Sequence, residues 1–130
     1  MLNTVNLIGR LTAAPELQKT SNDKNFCRTT LAVNRRFKNK EGVQEADFVT
    51  VIFWGKTAET FSSYAKKGSL IAVEGELRAY SYEGKDKERH YVTEVLGAAF
   101  SFLESRATVA RREGKIETDE TVLEAEEFPF

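Results

Sequence analysis

The stretch Asp47–Tyr82, DFVTVIFWGKTAETFSSYAKKGSLIAVEGELRAYSY, changes its periodicity twice, and those changes decide the fold. Phe48–Trp54 is dense in β-branched and aromatic residues, which suit a pleated, half-buried strand. Between Thr57 and Gly68 the apolar residues Ala58, Phe61, Tyr64 and Ala65 fall at helical spacing. Thr57 is the expected N-cap of that helix, Lys66 and Lys67 belong to its last turn, and Gly68 supplies a left-handed stop. From Leu70 the period returns to two, with Ile71, Val73, Gly75 and Leu77 on one side and Glu74, Glu76, Arg78 and Tyr80 on the other.

Working outward toward the N-terminus, Phe26–Phe37 alternates as well: Thr29, Leu31 and Val33 point one way, and Arg28, Thr30, Ala32 and Asn34 the other. A polar connection, Lys38–Gln44 with Gly42, joins it to the Phe48–Trp54 strand as a long hairpin. Upstream, Val5, Leu7 and Gly9 alternate with Asn6, Ile8 and Arg10 in a strand that ends before Pro15, because proline lacks the ladder N–H and restricts its predecessor. Downstream, a charged turn over Glu83–Arg89 leads to a last strand from about His90 to Leu103. The order βββαββ is that of an all-β OB-fold, a five-stranded Greek-key barrel with one short helix between strands three and four. Residues 1–105 form the expected folded domain, and residues 106–130 a flexible acidic tail whose 106–123 stretch reads as a frayed helix or disorder. No internal repeat is visible.

A chain of 130 residues supports one core rather than two. One Cys and one His exclude an internal disulfide framework and a Cys/His zinc cluster, so no metal and no cofactor are expected. No apolar run approaches the roughly 20 residues that span a bilayer, and MLNTVNLIGR does not read as a signal segment, so the expected location is cytoplasmic. The net charge of −1 conceals an asymmetry: residues 1–112 carry 18 Lys/Arg against 13 Asp/Glu, and residues 113–130 carry Lys115 against 7 acids. A basic body with an acidic tail is compatible with a polyanionic partner.

The strand parity sharpens that reading. Phe48 and Trp54, six residues apart, share one side of the third strand, opposite Val49, Val51 and Phe53. Arg78, Tyr80 and Tyr82 share a side of the fourth, Arg28 lies on the outer face of the second, and Phe37 ends that strand beside Arg35, Arg36 and Lys38. Flat rings interleaved with cations can hold single strands by stacking on bases and neutralising phosphates. Any one of these rings alone is more often core than surface, but their shared parity with Arg and Thr argues for exposure of the set.

The Asp47–Tyr82 run, with NLIGRLTAAPEL near the start and YVTEVL from Tyr91, resembles the bacterial single-stranded DNA-binding protein family over about residues 1–104. The resemblance implies that Phe37, Phe48, Trp54 and Tyr82 stack on bases, and that Lys56, Lys67 and the Arg35/Arg36/Lys38 cluster contact phosphates. Tyr80, Arg78, Arg28 and Arg10 are counted in the same DNA-binding set. It further implies a homotetramer that protects single-stranded DNA in replication, repair or recombination. The tip Glu126, Glu127, Phe128, Pro129 and Phe130 resembles the acidic Pro-Phe terminus by which this family recruits helicases, recombination mediators and other proteins. It departs from the family in having Glu where Asp is frequent and Phe128 where Ile is common, and the linker is short, without a Gly/Gln/Pro-rich stretch. That short linker and the ESRA sequence at 104–107 resemble the shorter paralogue that some Gram-positive bacteria use in natural transformation.

An OB-fold RNA-binding or primosome accessory protein is the alternative, sharing the rings but with less reason to carry EEFPF. Enzymatic readings fail on the residues. Gly55–Thr57 resembles the end of a phosphate loop, but its required earlier glycine would fall at Thr50. His90 and Glu94, four apart on a strand, are separated by roughly 13 Å. Cys27 has no histidine partner nearby in sequence and reads as a small strand residue, while Glu74 and Glu76 read as ion-pair partners rather than metal ligands. No catalytic residues are expected.

Overall fold

The computed structural model describes residues 1–105 together with Thr108 and Arg111. Among the described residues the strands are β1 (Val5–Leu11), β2 (Gln18–Lys19), β3 (Asn25–Lys38), β4 (Gln44–Trp54), β5 (Leu70–Glu83) and β6 (Arg89–Phe102); the helix α1 (Gly55–Tyr64) lies between β4 and β5, and Thr108 and Arg111 are also helical. The sheet order is β1-β5-β6-β4-β3-β2, and a further pairing of β1 with β3 closes five strands into the expected OB barrel. All pairings are antiparallel except β4 with β6, where Val51 and Ile52 lie beside Val95 and Leu96. The two-residue β2, paired with Asn25 and Phe26, is too short to leave a periodic signal in the sequence.

The barrel core follows the predicted apolar faces. Leu31, Val51, Phe53, Phe61, Ile71 and Val95 are buried, with Ala58 and Phe61 supplied by α1, which packs beneath β3, β4 and β6. Phe53 and Phe61 pack at a tilt with centroids 4.5 Å apart, and Phe100 meets Phe61 edge-on at 5.0 Å. Beyond this core the β3–β4 and β5–β6 hairpins extend as exposed arms.

The helix differs from expectation at both ends. Thr57 is not its N-cap: the helix begins at Gly55, Trp54 occupies the cap position in extended conformation, and no side chain caps it. Gly55 turns the chain with φ +64°, a conformation costly to residues with a Cβ, so the strand passes directly into the helix. The helix ends at Tyr64, where the Ala65 N–H donates to the Phe61 carbonyl, so Lys66 and Lys67 lie beyond the last turn. Gly68 does adopt a positive φ, of +84°, but its N–H donates to Leu11 and fastens the post-helical loop to β1. Leu77, expected inward, is exposed because β5 has by then left the barrel for its arm. No helix among the described residues is long and apolar enough to cross a membrane.

Candidate nucleic-acid interface

Strand register assembles one outer surface from four strands. Trp54 on β4 lies opposite Phe26 on β3, Ile52 opposite Arg28, Thr50 opposite Thr30, and Phe48 opposite Ala32. On the other side of β4, the parallel pairing brings β6, and on β6 Glu94, Val92 and His90 face Arg78, Tyr80 and Tyr82 of β5. Cross-strand partners in a sheet point to the same face, so Arg28, Phe48, Trp54, Arg78, Tyr80 and Tyr82 share one surface as their parity predicted. Phe48 and Trp54 are exposed there, roughly 20 Å apart along β4. Between the strands lies an open cleft of about 430 Å³ lined by Arg28, Thr50, Tyr80, Tyr82, Val92, Thr93 and Glu94.

Three of the rings are braced by neighbours. Trp54 leans on Phe26 with centroids 5.3 Å apart, and it remains 41% exposed. Tyr82 stacks on His90, also at 5.3 Å, and the imidazole is held in turn by Asp86, 3.2 Å from its Nε2. Asp86 titrates below the ordinary aspartate range, because the Glu88 backbone N–H donates to it and His90 lies beside it. Tyr80 donates its hydroxyl to Glu94 Oε1 at 3.2 Å; partial burial, followed by that carboxylate, pushes the phenol up and keeps it a donor. A braced ring with a free face loses little side-chain entropy when a base stacks on it.

The cations divide into two groups. Among the described residues, Arg36, Lys38, Lys56 and Lys67 have no carboxylate within ion-pair distance, and Lys56 stands in the first turn of α1, two residues beyond Trp54. The others are engaged. Arg35 reaches Glu45 at 2.8 Å and Asp47 at 2.9 Å, which raises its own pKa and holds the Asp47 carboxyl below its usual range through their hydrogen bond. Arg10 belongs to the Arg10–Ala32–Phe48 row by register, but its guanidinium turns to Glu104 and to the Gly68 carbonyl. Arg78 lies 3.8 Å from Glu76, as expected for that acid, and Arg28 lies 3.4 Å from Glu94. Phe37, 83% exposed, stands apart from the main surface on the β3–β4 arm.

Parity alone missed three members of this surface. Phe26 stands at the very start of its strand, His90 pairs by stacking with Tyr82 rather than with Glu94, and Glu94 itself is a buried acid among the rings. Its signal in the sequence was a lone carboxylate between Thr93 and Val95 in an otherwise uncharged run. Cys27 is fully buried in the core, and burial pushes its thiol pKa up, as suits the small strand residue it was read to be. Glu126, Glu127, Phe128, Pro129 and Phe130, like the 106–123 stretch apart from Thr108 and Arg111, lie outside the described residues.

A five-stranded OB barrel with exposed aromatic rings on one face and unpaired cations on the β3–β4 arm and around α1 defines the class: a barrel suited to extended polyanions with flat bases. Residues 2–103 match the single-strand binding protein family, and the chain belongs to that family. It is 55% identical to single-stranded DNA-binding protein 2 of Streptococcus agalactiae serotype V over 132 aligned residues that cover both chains completely. Single-stranded DNA-binding protein 1 of Streptococcus pyogenes serotype M6 is likewise 55% identical with complete coverage of both. The single-stranded DNA-binding protein of Bacillus cereus is 50% identical over 106 residues, which are 82% of this chain and 62% of that protein.

Proposed function

We propose that this chain binds and protects single-stranded DNA, tolerating different sequences, and acts as a stoichiometric binder rather than a catalyst. The observation that carries the reading is the alignment of Phe48, Trp54, Tyr80 and Tyr82 on one continuous face, each exposed by 40% or more. Stacking on such rings accepts any base, and neutralisation of phosphates by Lys56, Lys67, Arg36 and Lys38 is likewise indifferent to sequence. Phe37 extends the path along the β3–β4 arm. The experiment is a titration of Trp fluorescence with homopolymer oligonucleotides at several salt concentrations, since Trp54 is the only Trp. Quenching by single strands, little response to duplex and a steep fall of affinity with salt are expected; absence of quenching at saturation overturns the reading.

The protein assembles as a homotetramer in this proposal. Supporting it, β1 pairs with β5 over Val5–Arg10 but with β3 only at Arg10 and Leu11, so Val5–Gly9 keep one hydrogen-bonding edge open beside the exposed Ile8.

Recruitment of helicases and recombination mediators is assigned to Glu126–Phe130, within a tail from residue 106 that is separate from the folded domain of residues 1–105. A terminal ring can enter an apolar pocket while its carboxylate and the adjacent acids meet cations of the partner. Removing residues 124–130 is expected to abolish capture of such partners and to strengthen DNA binding modestly at low salt, because an acidic tether competes for the basic barrel. The gain should vanish as salt is raised past about 0.1 M, where the Debye length falls to about 10 Å. Truncation that weakens DNA binding while partner capture persists would reverse this division of labour. Replication, repair and recombination, or natural transformation, are the settings in which such a protein acts from the cytoplasm.

A further inference from the structure

Glu94 is the anomaly of the surface. A carboxylate only 6% exposed sits within a face that presents rings and cations, whereas Glu76, the other acid of that face, stays exposed beside Arg78. Its Oε1 accepts from Tyr80, and its Oε2 is buried without a hydrogen-bond partner among the described residues. The nearest compensating charge is Arg28, whose guanidinium lies 3.4 Å from that oxygen at ion-pair distance. The two residues sit on β3 and β6, with β4 between them in the sheet, so the Arg28 side chain crosses β4 to reach Glu94. Ile52 is the β4 partner of Arg28 and shares the parity of Phe48 and Trp54, yet it is only 4% exposed. An arginine stem laid across it accounts for the one apolar residue of that row withdrawn from solvent.

We propose that Glu94 is a positioning residue that retains Arg28 as an internal counter-ion, so that Arg28 roofs Ile52 and does not neutralise a phosphate. The inference rests on the single-stranded DNA reading above and changes its list of contacts. Removing Arg28 to a phosphate would leave a buried anion whose other neighbouring cation, Arg78 opposite it on β5, is turned toward Glu76, and a single exposed phosphate contact returns less than the buried pair loses. The latch therefore stays closed when DNA binds. Glu94 thereby sets how many charges the face offers and holds Tyr80 by its hydroxyl as a wall of the cleft.

The test is the salt dependence of affinity of the full-length protein for oligo(dT), where each phosphate contact on a single strand contributes about −0.7 to the log–log slope. Glu94→Gln keeps the shape and the bond from Tyr80 but releases Arg28, so the slope should steepen by about 0.7. The double variant Arg28→Gln/Glu94→Gln removes both charges and should return the slope to the parental value. Lys56→Ala, which removes an unpaired cation beside Trp54, serves as the comparator and should flatten the slope by about 0.7. If Glu94→Gln leaves the slope unchanged, or the double variant flattens it as Lys56→Ala does, Arg28 contacts phosphate and the inference is overturned. Should Glu94→Gln fail to fold, the double variant alone decides, since it buries no unpaired charge. A parent protein that does not bind oligo(dT) defeats the DNA reading and this inference with it; a binding parent with an unmoved Glu94→Gln slope defeats only the inference.

Discussion

Trp54→Ala is expected to weaken binding of single-stranded DNA by about 1 to 3 kcal/mol, a loss on the order of 5- to 150-fold, and to do so about equally for thymine, cytosine and adenine oligonucleotides. The reason lies in how the ring is held. Trp54 ends β4, Gly55 turns the chain at a positive φ immediately after it, and Phe26 supports the indole, which remains 41% exposed. Alanine removes the stacking platform without emptying the core, because the indole is 41% exposed and is not part of the buried cluster. The melting temperature should therefore move little while affinity falls, as equilibrium binding monitored by anisotropy of a labelled oligonucleotide would report. A loss confined to one base type would mean that Trp54 reads an edge rather than stacks on a face. No loss would remove it from the DNA path.

Phe61→Ala should have the opposite profile, destabilising the barrel by about 3 to 5 kcal/mol. Phe61 is fully buried and is the principal side chain through which α1 plugs the barrel, with Phe53 and Phe100 packed on it at 4.5 and 5.0 Å. Truncation leaves a void between three elements whose backbones are fixed by the β4–β6 pairing and by the helix, so collapse recovers little of the lost contact. Thermal unfolding should show a midpoint lowered by roughly 10 °C or more. Phe37→Ala, at a ring 83% exposed, should shift it by less than about 0.5 kcal/mol equivalent. Similar losses at the two positions would mean that the arm ring carries structure, contrary to its placement.

Much of this architecture is written in local pattern. The period-two runs around Leu31, Val51 and Val73 and the helical spacing of Ala58 and Phe61 reflect which side chains must leave water, and each of those five residues is buried. The same parity put Phe48, Trp54, Tyr80 and Tyr82 on the outer face, because the face of a barrel strand opposite its aliphatic row is the solvated one. The helix start differs from expectation for a related reason: Thr57 has the chemistry of a cap, but the register of β4 carries the strand to Trp54 and the Gly55 turn starts the helix there.

By itself, then, the sequence determined the barrel, the helix between its third and fourth long strands and the ring-bearing face, since periodicity and turn chemistry act between residues a few positions apart. Which cations remain unpaired was decided only by the tertiary structure. Arg35 meets Asp47 across a hairpin, Arg10 meets Glu104 from the far end of the chain, and Arg28 meets Glu94 over an intervening strand. A charge is the same letter whether paired or free; its partner is chosen by distance in space, which strand pairing sets and sequence separation does not.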